Sequence, residues 1–120
     1  TLDLVGEARY DQAFMFLFSA RPGTAAAAME DAFVPAEVAQ ERFGRLVELQ
    51  QRISLERNRA NLGRRFEVLA EGPSKKDPGV ATTRTRGGKV VHVAGEKPAG
   101  TFLEVEITGA APHHMVGIPA

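Results

Sequence analysis

The stretch Val80 to Val93, VATTRTRGGKVVHV, decides how the second half of the chain is read. Its arms, VATTRTR and KVVHV, are rich in Val and Thr and flank Gly87-Gly88. Two glycines between strand-like runs signal a hairpin, because a type I′ turn needs positive φ at both central positions. The arms therefore read as two antiparallel strands.

Outward from this hairpin the same period of two continues. RFEVLA, residues 65–70, alternates Phe66, Val68 and Ala70 with Arg65, Glu67 and Leu69. TFLEVEIT, residues 101–108, alternates Leu103, Val105 and Ile107 with Phe102, Glu104, Glu106 and Thr108. HHMVGI, residues 113–118, supplies a last strand. Five short strands within residues 63–120 predict a small, antiparallel, OB-like β-barrel, closed or nearly so.

Before Gly63 the period is helical. From Ala36 to about Leu62, apolar Ala39, Phe43, Leu46, Leu49 and Ile53 recur at three- and four-residue steps and form one amphipathic stripe. Pro35 stands where a helix start tolerates proline, and Gly63 is a natural stop. Glu41–Arg45 and Glu48–Arg52 have the favourable i,i+4 order. Further upstream, Ala13 to Phe18 is apolar without alternation, the pattern of a strand buried on both faces of a parallel sheet. Its pairing partners are missing, which leaves it open to strand exchange or dimerisation. Pro22-Gly23 predicts a tight turn, with Thr24 capping a short helical turn after it. TLDLVGEARYD reads as the tail of an amphipathic helix, as in a chain cut inside a larger domain. The fold class is thus α+β, with residues 1–62 an α/β remnant plus a connecting helix and residues 63–120 a β-barrel.

The chain of 120 residues has no cysteine, which excludes disulfides, thiolate metal sites and a Cys nucleophile within it. This fits a cytoplasmic location. No apolar run approaches the length of a membrane span. The zero net charge hides an asymmetry. Residues 1–58 carry six Lys/Arg against nine Asp/Glu, and residues 59–120 carry nine against six, a mild sign of a polyanion partner for the second half.

The chemistry-bearing residues follow from this layout. Arg84 and Arg86 are two apart and would share one strand face, with Lys89 across the hairpin and Lys75 and Lys76 in the preceding loop. Such a face would hold phosphates, with affinity that falls with salt; the competing reading is a solvated barrel surface. His92 suits either base stacking or a partly buried structural role. His113 and His114 are adjacent, so on a strand they point to opposite faces and do not share a metal. Ser19 and Arg21 follow the apolar strand, where barrel-type α/β enzymes build their active-site loops; a loop-supporting ion pair is the alternative for Arg21. No Gly-rich phosphate loop, Ser–His–Asp set or carboxylate dyad stands out.

Taken in order, YDQAFMFLFSARPGT, VPAEVAQERFGRLVELQQRISLERNRANLGR, EVLAEGPSKKD, TRTRGGKVVHV and APHHMVGI resemble the C-terminal part of the MiaB-type radical S-adenosylmethionine tRNA methylthiotransferases. The resemblance implies that residues 1–20 are the last helix end and strand of a radical-SAM barrel. It implies that 36–62 lead out of that barrel and that 63–118 are a TRAM domain, a small β-barrel regarded as RNA-binding. The implied activity is attachment of a methylthio group to isopentenyladenosine beside the anticodon. The implied cofactors are two 4Fe-4S clusters and S-adenosylmethionine in the parent, and none in this chain, which lacks the cluster cysteines. The implied partners are tRNA and the rest of the radical-SAM domain. On that reading the basic residues Lys75, Lys76, Arg84, Arg86 and Lys89 contact phosphates, His92 or His113 lies near a base or ribose, and Ser19 and Arg21 border the parent's active-site loop. The alternative is a packing module that orders the catalytic domain without touching RNA.

Overall fold

The computed structural model describes residues 1–120. Helix α1 spans Leu2–Ala8, a short 3-10 turn spans Glu30–Ala32, and helix α2 spans Ala36–Arg59. Five strands follow: β1 Arg65–Pro73, β2 Val80–Thr85, β3 Val90–Ala94, β4 Phe102–Ala110 and β5 Met115–Pro119.

The strands close into a barrel in the order β1-β2-β3-β5-β4. Alternation of buried and exposed residues along β1 and β2 follows the period-two pattern and points Val68, Ala70, Ala81 and Thr83 inward. Val68, Val91, Val93, Val105, Ile107 and Met115 form the core, with Phe66 and Leu103 packed against it. Thr83, the fully buried polar residue of β2, donates its hydroxyl to the Val91 carbonyl at 2.8 Å and so is satisfied within the core.

The all-antiparallel expectation fails at one seam: β3 and β5 run parallel, in register Val91↔Met115 and Val93↔Gly117. An odd number of strands cannot close with every neighbour antiparallel, so a five-strand barrel must contain such a seam. Gly117 sits there. A Cβ at this position would lie 3.0 Å from the Glu106 carbonyl and 3.3 Å from Val91 Cγ1, so any side chain there would have to push its neighbours aside.

The hairpin at Gly87-Gly88 forms, with a different turn. Only Gly88 has positive φ, 83°. The Gly88 N–H donates to the Thr85 carbonyl, and the Thr85 N–H donates to the Lys89 carbonyl, each at 3.0 Å. This is a three-residue loop with its left-handed residue at the third position. It places Arg86 in the turn rather than on β2.

Helix α2 ends at Arg59, three residues before the expected limit, where Asn61 and Leu62 make tight bonds back to the Asn58 and Arg59 carbonyls. Glu41–Arg45 forms at 3.8 Å; Glu48–Arg52 is not among the ion pairs. At about 1.5 Å per residue, α2 is roughly 36 Å long. It leaves the barrel as an arm: the radius of gyration is 18.7 Å, against about 13–14 Å for a compact chain of this length. Helix α1 lies against α2.

The apolar run Ala13–Phe18 forms no strand. Phe14 and Phe16 are 88% and 85% exposed. A strand needs neighbours to satisfy its backbone, and none lies beside this segment. The turn after it forms as expected: Gly23 takes φ 84°, Thr24 N–H donates to the Arg21 carbonyl at 3.2 Å, and Thr24 Oγ1 accepts from the Ala27 N–H at 3.2 Å. No helix is long and apolar enough to cross a membrane.

Candidate nucleic-acid interface

The β1–β2 connection, the outer face of β2 and β3, and the loop before β5 enclose a groove of about 690 Å³. Lys75, Lys76, Arg84 and His92 line it, and so does His114. A bulge in β1 at Ala70/Gly72 shapes its rim. Gly72 takes φ 128°, a conformation that L side chains rarely adopt. Asp77 Oδ1 accepts the Gly79 N–H at 2.9 Å and folds the lysine loop back toward β2.

The floor of this groove is a histidine pair. The His92 and His114 rings meet edge to face, centroids 4.8 Å apart. His92 Nδ1 is buried without a hydrogen-bond partner. Burial lowers the His114 pKa below the ordinary imidazole value, and the nearby His92, His113 and Lys76 lower it further. The ring is held neutral beside a cluster of cations, which is what an anion entering the groove would reverse.

His113 is elsewhere. It precedes β5 and lines a second groove of about 200 Å³ with Tyr10, Lys89 and Pro112. The histidine that joins His92 is its neighbour His114, which sequence reasoning passed over. The signal was adjacency: two successive side chains diverge, so only one of them could meet His92.

The arginines are not bare. Arg84 pairs with Glu71, and its Nη1 donates to the Gly88 carbonyl at 3.2 Å. Arg86 is 93% exposed and stands 4.0 Å from Glu67. These exposed pairs hold the guanidinium groups at small net energy. Each guanidinium has five N–H donors, so pairing leaves donors free.

Lys89 does not belong to this face. Its ammonium donates to Asn58 Oδ1 at 3.0 Å and pairs with Asp11 at 3.2 Å, and its side chain is only 22% exposed. Asp11 also accepts from Arg57 Nε. Burial raises the Asp11 pKa, but the hydrogen bonds and charges of Arg57 and Lys89 outweigh it and hold the carboxyl below its ordinary value. Lys89 thus ties the hairpin to α2 and to the segment after α1.

That tie continues along α2 as a polar seam absent from the apolar stripe read in the sequence. Gln50, Ser54 and Asn58 recur every four residues and are buried. Gln50 Nε2 donates to the Tyr10 carbonyl, Ser54 Oγ to the Asp11 carbonyl (both 2.8 Å) and Asn58 Nδ2 to the Ala111 carbonyl at 2.7 Å. Ser19 and Arg21 are exposed and line none of these grooves. No group of three or more His, Cys, Asp or Glu residues is arranged to hold a metal.

Residues 59–117 match the family model of the TRAM domain. The chain is 50% identical over 122 residues to the tRNA-2-methylthio-N(6)-dimethylallyladenosine synthase of Mycobacterium ulcerans (strain Agy99), covering 97% of this chain and 23% of that protein. It is 47% identical over 124 residues to the synthases of the same name from Mycolicibacterium vanbaalenii and Clavibacter michiganensis subsp. michiganensis, covering 97% of this chain and 24% and 23% of those proteins. The chain therefore spans less than a quarter of the length of these curated relatives.

Proposed function

We propose that this chain, which belongs to the MiaB-type methylthiotransferase family and carries that family's TRAM domain, is the tRNA-holding C-terminal part of such an enzyme. The reaction, by the names of its relatives, is methylthiolation of dimethylallyladenosine in tRNA. The observation that carries this reading is the convergence of Lys75, Lys76, Arg84, His92 and His114 on one groove. Lysine and arginine there neutralise phosphates, and the imidazole rings offer a ring face and a hydrogen-bonding edge to a base or ribose. Lys89 and His113 are left out of the contact set on the geometry described above.

The chemistry belongs to residues outside this chain. With no cysteine, nothing here fits an iron–sulfur cluster; clusters and S-adenosylmethionine would be held by the remainder of the full-length enzyme. The exposed Phe14, Phe16 and Phe18 would pack into that remainder, and Ser19 and Arg21 would then border its active site.

The test is tRNA binding by the chain across a salt series. Binding should weaken steeply with salt, and Lys76→Ala should reduce the slope of log K against log salt by about one. Absence of tRNA affinity at low salt, together with unchanged affinity of full-length enzyme carrying Lys75→Ala, Lys76→Ala and Arg84→Ala, would overturn the assignment.

A further inference from the structure

The outer wall of the barrel carries an aromatic ring that a charge-based reading passes over. Phe102 opens β4 and is 66% exposed. Its cross-strand partner on β1 is Leu69, whose partner on β2 is Arg84. Arg84, Leu69 and Phe102 therefore form one row across three strands, all on the solvent side, where the barrel's alternation puts them. A groove of about 260 Å³ lies over this row, lined also by Arg86, Glu67 and Glu71.

A single exposed phenylalanine is ordinary on a protein surface. This one differs in its company, an apolar floor with two guanidinium groups along one side. We propose that Phe102 is a stacking platform for one unpaired RNA base, with Leu69 extending its floor and Arg84 and Arg86 taking the adjoining phosphates. The inference rests on the reading that this barrel face binds RNA, and it adds the kind of RNA. A π face accepts any base, so the contact carries affinity with little sequence preference. It requires a base turned out of a helix, because a paired and stacked base presents no free face. Glu67 and Glu71 hold the two arginines over the groove while leaving donors free for phosphate. The groove shares Glu71 and Arg84 with the histidine groove, so the stacked nucleotide and the phosphates bound at Lys75 and Lys76 lie on one continuous strand path.

The chain has no tryptophan, so Phe102→Trp installs a single reporter at the proposed contact. An unstructured oligoribonucleotide of about eight nucleotides, within the usual span of one OB-type barrel, should quench its emission. An abasic oligonucleotide of the same length and an RNA duplex should not. Phe102→Leu, a change at an exposed site, should weaken binding of the unstructured strand by roughly tenfold, the usual scale of one stacked base, and leave the salt slope unchanged. Arg84→Ala should lower that slope. If Arg84→Ala weakens binding but Phe102→Leu does not, and the emission of the Phe102→Trp variant is unmoved, the stacking platform is wrong and the RNA-binding reading stands. If no RNA binds at low salt, the platform falls, and the RNA-binding reading falls with it when the full-length variants keep their affinity.

Discussion

His114 shows how one side chain's setting changes what it does. The ring is half-buried against His92 with Lys76 and His113 nearby, and all of these disfavour its charged form. With the folded value below the unfolded one of about 6.5, the unfolded chain binds more protons in the interval between them. Stability therefore rises with pH through that interval, and what is present above about pH 6.5 is lost on acidification. Thermal melts from pH 7.5 to 5 should show this loss, and His114→Gln should flatten it. An equal slope in the variant would remove His114 as the source. A bound phosphate acts in the opposite sense and draws a proton onto the ring, so RNA binding should tighten modestly as pH falls through the same range. At the same scale, the Lys89 ammonium is engaged by Asp11 and Asn58.

At the scale of elements, α2 is held to its surroundings by a polar seam beside the buried Ile53 of its apolar stripe. Phe43 and Leu46 stay half-exposed, while Gln50, Ser54 and Asn58 are buried and capture three carbonyls from two separate segments. Asn58 is the junction, since it also receives the Lys89 ammonium from the hairpin. Asn58→Ala should cost about 1–3 kcal/mol, because it strands the Ala111 carbonyl and removes one of the two partners of Lys89. Urea unfolding measures this. A loss near zero would mean that water replaces the amide without penalty and that the seam does not fasten the arm to the barrel. The helix periodicity of 36–59 was legible because it is local. The polar seam was not, because Gln, Ser and Asn at i,i+4,i+8 look like a solvated face until the carbonyls they serve are in place.

At the scale of the molecule, stability rests on a barrel core of six side chains and on closure through the parallel β3–β5 seam. Ile107→Ala, at a site 1% exposed, should cost about 2–5 kcal/mol. Gly117→Ala should cost about 1–3 kcal/mol by overpacking, since its nearest neighbour would be a backbone carbonyl that cannot swing away. Chemical denaturation compares the two. A neutral Gly117→Ala would show that the seam has slack and that closure does not depend on glycine there.

What the sequence by itself determined was local: the five strands, the helix, the Arg21–Thr24 turn and the residues facing the core. Each follows from periods of 2 and 3.6 and from the backbone freedom of a few glycines, which need no knowledge of distant residues. The tertiary structure alone decided which charges face solvent and which are engaged inside. It turned Lys89 toward Asp11, gave Arg84 and Arg86 their glutamates, set His114 rather than His113 against His92, and put Phe102 in line with Arg84. It also withheld a strand from Ala13–Phe18, whose apolar pattern lacks neighbours to pair with. The reason is the same in each case: an ion pair, a ring contact or a strand ladder is a relation between residues far apart in the chain, and its partners are chosen only when the barrel closes and α2 docks on it.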